Sequence, residues 1–381
     1  MRLTSILLAI LLAAYPLAAQ RHKLTINAET PEGQMLQQIG QESDAAKKLG
    51  LMEVFIQKHA AHDGAGWVLE QMVTAYLKAG QFDKALATGE KLLGMDPDDV
   101  VTAHNALKAA EGKKDPNLIK QWAATTSKLA KKAVAAPKPS DEEEQEAWKA
   151  NVEYAKQVDT YTEYAQYAAA LAATDPNQRI MLYEALQAQN PQSQYVAQLN
   201  LPYFLALRQA NQNEKAITVA EKVLETDQSS EDMLLAVADS YFNKKGDPNK
   251  VIALSTKLVE VMNSKTKPEG VADADWEKRK SLMTGLGHWM AGVTYGNQSK
   301  WKEADAELRQ ALPLVESNDQ LKAQALFYLA LSNYKMGEPK KDRKLMAEAL
   351  RFNVQCAAIK SPFQGQASKN ASVIRQQYGL K

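Results

Sequence analysis

A chain of 381 residues with 45% hydrophobic and 24% charged side chains and a mean hydropathy of -0.41 is far too apolar to be disordered throughout. With 46 Lys and Arg against 45 Asp and Glu, its formal charge of +1 gives no electrostatic reason to expect nucleic acid or an anionic membrane surface as partner. A single cysteine, Cys356, excludes an intrachain disulfide, and its apolar surroundings VQCAAI fit a core position better than a reactive one.

Residues 1–19, MRLTSILLAILLAAYPLAA, have the pattern of a secretory signal peptide. Arg2 gives a minimal positive start, Leu3 to Ala14 form the apolar stretch, and Pro16 precedes the small residues Ala18 and Ala19, after which cleavage is expected. The run is short of the ~20 residues a spanning helix needs, and no Cys follows it to take a lipid. Since the leader removes Arg2 and no acid, the mature chain is formally neutral. It is expected to be exported, periplasmic or secreted, with no membrane span.

Residues 20–134 form a first helical segment. Its early part, GQMLQQIGQESDAAKKLGLMEVFIQKH, is only weakly patterned. Leu69, Met72, Val73 and Tyr76 then make an i, i+3, i+4, i+7 stripe of one helix. Gly80 can take the left-handed conformation that ends it. Phe82, Ala85, Leu86, Leu92 and Leu93 give the second stripe, and Asp96-Pro97 is expected to cap the helix that follows. The logic is a helical hairpin with a small residue, Ala85, at the contact. A fainter unit occupies 100–134.

AAPKPSDEEEQEAW, 135–148, is a Pro-containing joint in which Ser140 and Glu143 have capping-box spacing and the acids suit a helix start. A long helix rich in Tyr and Ala should run from Glu142 to about Ala173. From 149 to 351 hairpins recur, weakly at 164–191 and more clearly at 201–227, where Asn211 stands in the turn in place of Gly. They continue at 235–262, with one extra turn residue, at 290–316 and at 326–352. A loop at 263–276 precedes another extended helix. The tail, 352–381, lacks the repeat. A final helix from about Pro362 to Gln377 should turn Ala367, Ala371, Ile374 and Tyr378 inward and Lys369 and Arg375 outward, as a cap.

Units starting near Gly66, Ala197, Glu231, Gly285 and Ala323 resemble tetratricopeptide (TPR) repeats, helix–turn–helix units of about 34 residues. The usual first-helix Trp is missing, and the Leu-Gly pair survives as Val237-Ala238, Ala291-Gly292 or Leu329-Ala330, which keep a small residue at the packing contact. The resemblance implies an all-α fold: a TPR-like right-handed α-solenoid of antiparallel helix pairs with degenerate repeats and a C-terminal capping helix.

Catalytic patterns are sparse. His22, His59, His62, His104 and His288 include no H-E-x-x-H, and HAAH at 59–62 reads better as a loop between helices than as a metal pair. GLGHW at 285–289 lacks the strand–turn–helix context of a phosphate loop. DEEEQE reads as a solvated helix start. KLAKK at 128–132 and KMGEPKKDRK at 335–344 are the best basic clusters, spaced as exposed helix faces. Asn297 and Asn370 lie in N-x-S sequons. No enzyme activity, cofactor or metal is expected.

In TPR-like arrays the first helix of each pair lines the concave face. By helical phase that groove would receive Trp67, Glu70, Thr74, Leu77 and Lys78, then Leu201, Leu205, Arg208 and Gln209. Further along it would receive Leu235, Asp239, Phe242 and Asn243, then Trp289, Val293, Gly296 and Asn297, then Phe327, Leu331, Tyr334 and Lys335. The set is mixed, apolar and aromatic, rather than the Lys, Asn and Arg of a carboxylate clamp. It points to protein or peptide partners with an apolar or aromatic anchor, bound by an exported scaffold of the bacterial envelope. Two alternatives stand beside it: an enzyme or enzyme subunit acting on envelope glycans or peptides through acids near the 142–173 helix, and a structural oligomer that buries the aromatic stripes between chains.

Overall fold

Helix is the only regular structure among the described residues of this computed structural model, which are residue 24 and residues 26–380. The expected leader over 1–19 lies outside the described residues. Two compact units meet between Ala210 and Asn211. The first holds α1 (Pro31–Gln41), α2 (Ala45–Lys58), α3 (Ala65–Lys78), α4 (Phe82–Met95), α5 (Val100–Lys113), α6 (Pro116–Val134), α7 (Glu142–Ala172), α8 (Pro176–Gln189) and α9 (Gln194–Gln209). The second holds α10 (Asn213–Leu224), α11 (Glu231–Asn243), α12 (Pro248–Ser264), α13 (Asp273–Asn297), α14 (Trp301–Ala311), α15 (Asp319–Gly337), α16 (Arg343–Ala357) and α17 (Gln364–Tyr378).

Local chemistry sets most of these boundaries. Asp44, Asp115, Asp175, Asp247 and Asp342 each accept hydrogen bonds from first-turn amides of the helix that follows, and Pro opens α6, α8 and α12. Two expected caps fall elsewhere. α5 is capped by Asp99, while Asp96 closes α4 and accepts from Asp98 N at 3.4 Å. The Asp-Pro turn uses further residues to redirect the chain before the new helix can start. α7 is capped by Asp141 rather than Ser140, with Glu143 N donating to its carboxylate at 2.8 Å.

The turns inside the hairpins share one geometry. Gly80, Lys114, Lys245, Ser299 and Lys341 all have positive φ, and the amide after each donates to the carbonyl five residues back. That is the Schellman arrangement, which satisfies carbonyls left over at a helix end. Asn211, where Gly was expected, also has positive φ, at 57°. Two further glycines near hairpin turns make room for side chains. Gly246 makes room for the Tyr241 ring, which a Cβ would meet at 2.8 Å, and Gly337 does so for Leu345 at 2.8 Å.

Within each unit consecutive helices pair, and helices two apart also touch: α6 with α8 and, among the odd-numbered ones, α3 with α5, α5 with α7, α7 with α9, and separately α11 with α13 and α13 with α15. The odd-numbered helices form the inner layer of their unit. A polar clamp joins hairpins. Tyr76, on α3, donates to Glu53 of α2 at 2.6 Å, and Lys84 of α4 donates to the same oxygen at 2.9 Å. In the second unit Tyr241, Glu221 and Lys250 repeat this with the same two distances, the Lys ammonium lying 4.2 Å from the Tyr ring centroid. The hydrogen bond from the Tyr, then that from the Lys, holds each Glu below the usual carboxylate range.

α17 covers the end of the second unit as a cap. Ala371 and Ile374 pack with Met346, Ala349 and Leu350 of α16, Ala367 is buried, Tyr378 is half-buried, and Lys369 and Arg375 face solvent. Cys356 is fully buried, with its thiol pushed up to about 11 by burial and donating to Ala323 O at 3.3 Å.

Lys114→Gly and Ser299→Gly should each stabilise the protein by about 1 kcal/mol, since the left-handed conformation is strained for both native residues. Chemical denaturation checks this, and the same change at helical Lys108 should destabilise by about that amount. A second expectation concerns pH. Because Glu53 and Glu221 have lowered folded-state pKa values, their stabilisation is present above the usual carboxylate range and is lost as pH falls through the folded value. Unfolding measured between about pH 6 and 3 should show a shallower loss of stability in Glu221→Gln than in the wild type. Tyr241→Phe should cost about 1 kcal/mol at neutral pH.

Candidate partner-binding surfaces

The inner helices expose a stripe of large apolar side chains in the first unit. On α7, Gln157, Tyr164 and Leu171 recur every seven residues, with Tyr164 44% and Leu171 46% exposed. On α9, Gln198, Leu201, Leu205, Arg208 and Gln209 face solvent, with Leu201 39% and Leu205 38% exposed. Rings connect the two helices: Tyr164 lies 6.0 Å from Tyr195, and Tyr167 stacks on Tyr195 at 4.9 Å. On α3, Thr74 and Lys78 are exposed, while Trp67, Glu70 and Leu77 are half-buried. α5 adds half-buried Val101, Asn105 and Lys108. The α5 and α7 members were missed in the sequence because their units were too degenerate to place in register. The seven-residue spacing within α7 was the signal that could have found Tyr164 and Leu171.

Behind this face lies a titratable cluster. His104 is 8% exposed and its Nδ1 shares a hydrogen bond of 2.9 Å with the Tyr154 hydroxyl. Burial, aided by the Lys108 charge, brings its pKa down to about 3, so the ring is neutral at ordinary pH. Tyr161 donates to Glu111 at 2.7 Å; burial raises both groups above their ordinary values. This cluster holds α5 against α7.

A cleft of about 810 Å³ opens where α5 begins, α6 ends and α7 passes, walled by Val100, Leu129, Ala133, Trp148, Val152 and Tyr154. It lies beside the long helix that drew attention as a place for catalytic acids. Its carboxylates are engaged: both Asp98 oxygens accept from Lys132 at 2.7 Å, and Asp99 accepts from Val101 N, Thr102 N and the Thr102 hydroxyl.

In the second unit the expected groove residues separate. Phe242, Asn243 and Asn297 meet at a crevice of about 640 Å³, together with Gln298 and Gln324. Asn243 donates to Asp239 at 2.8 Å, and Asn297 accepts from the Tyr328 hydroxyl at 2.6 Å. Leu331, Tyr334 and Lys335 line a smaller pocket of about 260 Å³ with Asn370 and Val373. Tyr334 donates to Glu338 at 2.9 Å, and Phe327 packs on Phe363 at 4.9 Å. Leu235 is half-buried.

Trp289, by contrast, is 7% exposed beneath Phe242, their rings 4.9 Å apart; Val293 is 1% exposed, and Gly296 lies under the Tyr328 ring. The later part of α13 is largely buried because its glycines let neighbours close in. A Cβ at Gly285 would meet Leu314 at 2.7 Å, and one at Gly287 would meet Ser255 O at 2.9 Å. GLGHW is therefore a packing surface. His288 in it shares a hydrogen bond of 2.6 Å with Glu307. His59 ends α2 and His62 accepts from Gly64 N at 2.9 Å, both against Phe55. Among the described residues no three His, Cys, Asp or Glu side chains converge as a metal site requires, and no helix is long and apolar enough to cross a membrane.

No protein-family model and no curated protein matches the sequence. Solved structures similar to this chain include two that align over most of it. A chain of the Cut9–Hcn1 hetero-tetramer of the APC/C is 13% identical over 91% of this chain and 56% of that one, with a TM-score of 0.32. The P58(IPK) TPR domain is 12% identical over 91% and 98%, with a TM-score of 0.27. The chain thus spans a little over half the length of the first. The TPR-like character of the fold rests on the paired helices and their turns.

Exposure separates surface from core in a measurable way. Trp289→Ala should cost about 3–5 kcal/mol in denaturant unfolding, as for other buried aromatics, whereas Leu201→Ser and Leu205→Ser should each cost less than about 1 kcal/mol.

Proposed function

We propose that the chain is an exported, non-catalytic scaffold of the bacterial envelope that holds segments of partner proteins on its inner helical faces. The observation that carries this is the stripe formed by Tyr164, Leu171, Leu201 and Leu205, which are 44%, 46%, 39% and 38% exposed on adjoining helices. Exposed large apolar side chains rimmed by polar groups mark a place where a partner can dock. Gln157, Gln198, Arg208 and Gln209 around it can bond a partner's polar groups and fix its register. The occupant this surface favours is a segment with aromatic or branched aliphatic anchors spaced along one side. In the second unit, the carboxamides of Asn243, Asn297, Gln298 and Gln324 suit the alternating donors and acceptors of a peptide main chain.

Export is supported by the leader pattern of residues 1–19, and a chain whose only cysteine is buried needs no disulfide to fold outside the cytoplasm. The non-catalytic reading is supported by the engagement of Asp98 and Asp99 in the largest cleft described.

A photocrosslinking residue at position 164 or 205, used in the native cell, should capture a discrete protein segment. Leu201→Asp should abolish that capture while leaving the melting curve unchanged. The recovered protein should begin at Gln20 and come from the envelope fraction. A chain retaining Met1 in the cytosol would refute export, absence of any discrete crosslink would refute the scaffold, and turnover of muropeptides by purified protein would refute its lack of catalysis.

A further inference from the structure

The near-zero charge of the chain conceals a strongly basic end. Residues 340–380 carry eight Lys and Arg against two acids, Asp342 and Glu348. Both acids are occupied within the fold. Asp342 caps α16, accepting from Lys344 N and Leu345 N, and Glu348 pairs with Arg351 at 2.8 Å and Arg309 at 3.2 Å. Among the described residues, Lys340, Lys341, Arg343, Lys369 and Arg375 have no carboxylate partner.

α17 packs on α16 and leaves part of the α16 surface uncovered. Beside it, α16 exposes Ala347, Val354 and Ala358 at i, i+7 and i+11, with Val354 41% exposed. Ala347, Leu350 and Val354, with Leu380 beyond α17, floor a groove of about 340 Å³. Its polar rim is Arg351, Gln355 and Arg375. A seven-residue apolar spacing is what a packed helix meets on its neighbour.

We propose that this groove receives an amphipathic α-helix of a partner protein, its apolar stripe on Val354 and Leu350 and its flanking acidic residues toward Arg375. Charge complementarity selects the partner: Arg375 on the rim has no carboxylate partner, Arg351 is already paired with Glu348, and the acids around it are committed within the fold. A helix is favoured over an anionic bilayer because no lining residue is aromatic and Leu350 is only 5% exposed. Membrane-surface helices present protruding large side chains with aromatic anchors. This site is separate from the inner faces, so failure here leaves the scaffold reading untouched.

The test uses the full mature chain and a labelled helix-forming peptide with a Leu/Ala stripe flanked by Glu, alongside a Lys-flanked counterpart, in fluorescence anisotropy. The Glu-flanked peptide should bind, weaken as salt rises, and bind at least about tenfold tighter than the Lys-flanked one. Arg375→Glu and Val354→Asp should each weaken it by about tenfold or more, and the milder Arg375→Gln by less. Lys302→Glu, on exposed α14, should change nothing. Melting curves of each variant separate a lost site from a lost fold. The proposal is overturned if the Glu-flanked peptide does not bind, if Arg375→Gln, Arg375→Glu and Val354→Asp all bind it as the wild type does, or if the two peptides bind equally. It is overturned too if the chain sediments with anionic vesicles in an Arg375-dependent way while ignoring the peptide, which would assign the surface to a membrane.

Discussion

The clamp made by a Tyr, a Glu and a Lys is the interaction on which the stacking most depends. Tyr76 sits on an inner helix, Lys84 on that helix's own outer partner, and Glu53 on the helix before, so one carboxylate ties two hairpins together. Apolar packing alone allows neighbouring helices to slide by fractions of a turn, because ridges and grooves repeat. A hydroxyl and an ammonium converging on one oxygen allow only one register. The arrangement recurs through Tyr241, Lys250 and Glu221 despite one extra residue in the intervening turn. In part it recurs again as Tyr203 donating to Glu184 at 2.9 Å, beside a Tyr183–Tyr203 stack at 3.8 Å.

That recurrence explains how much of the fold was readable. Tyr76, Gly80, Ala85 and the long helix from Glu142 were visible because packing, turning and capping each demand a narrow class of residue. The turn position was less visible. Lys114, Lys245, Ser299 and Lys341 take the same left-handed conformation as Gly80. A Lys there costs strain, but the Schellman hydrogen bonds around it and the closure of the hairpin enforce the geometry regardless of residue. Sequence patterns report what is cheapest, and a folded repeat can tolerate something dearer.

The binding surface was less readable than the fold, for a reason set by helix geometry. Trp289 and Leu201 carry equivalent phase assignments in their repeats, yet one is 7% and the other 39% exposed. What differs is the neighbourhood. α13 has Gly285, Gly287, Gly292 and Gly296, so adjacent helices approach closely enough to bury Trp289 and Val293, while Leu282 earlier on the same helix stays 50% exposed. Phase along one helix cannot report how closely its neighbours pack. Tyr164 and Leu171 escaped for the opposite reason: their helix was recognised, but its register against α5 and α9 was not.

The charge of the basic end teaches the same lesson at a longer scale. A formal total of +1 argued against anionic partners, and as a statement about the average field of the molecule it is sound. Screening, however, limits a charge's reach to about 10 Å at moderate salt. A partner arriving at α16 and α17 therefore meets the unpaired Arg375 and little of the acidic surplus carried elsewhere along the chain. The acids within reach are committed, Asp342 to a helix cap and Glu348 to Arg309 and Arg351. A folded protein's electrostatics are thus decided over a few turns of helix, and the quantity that matters for a docking surface is the count of charges left unpaired there.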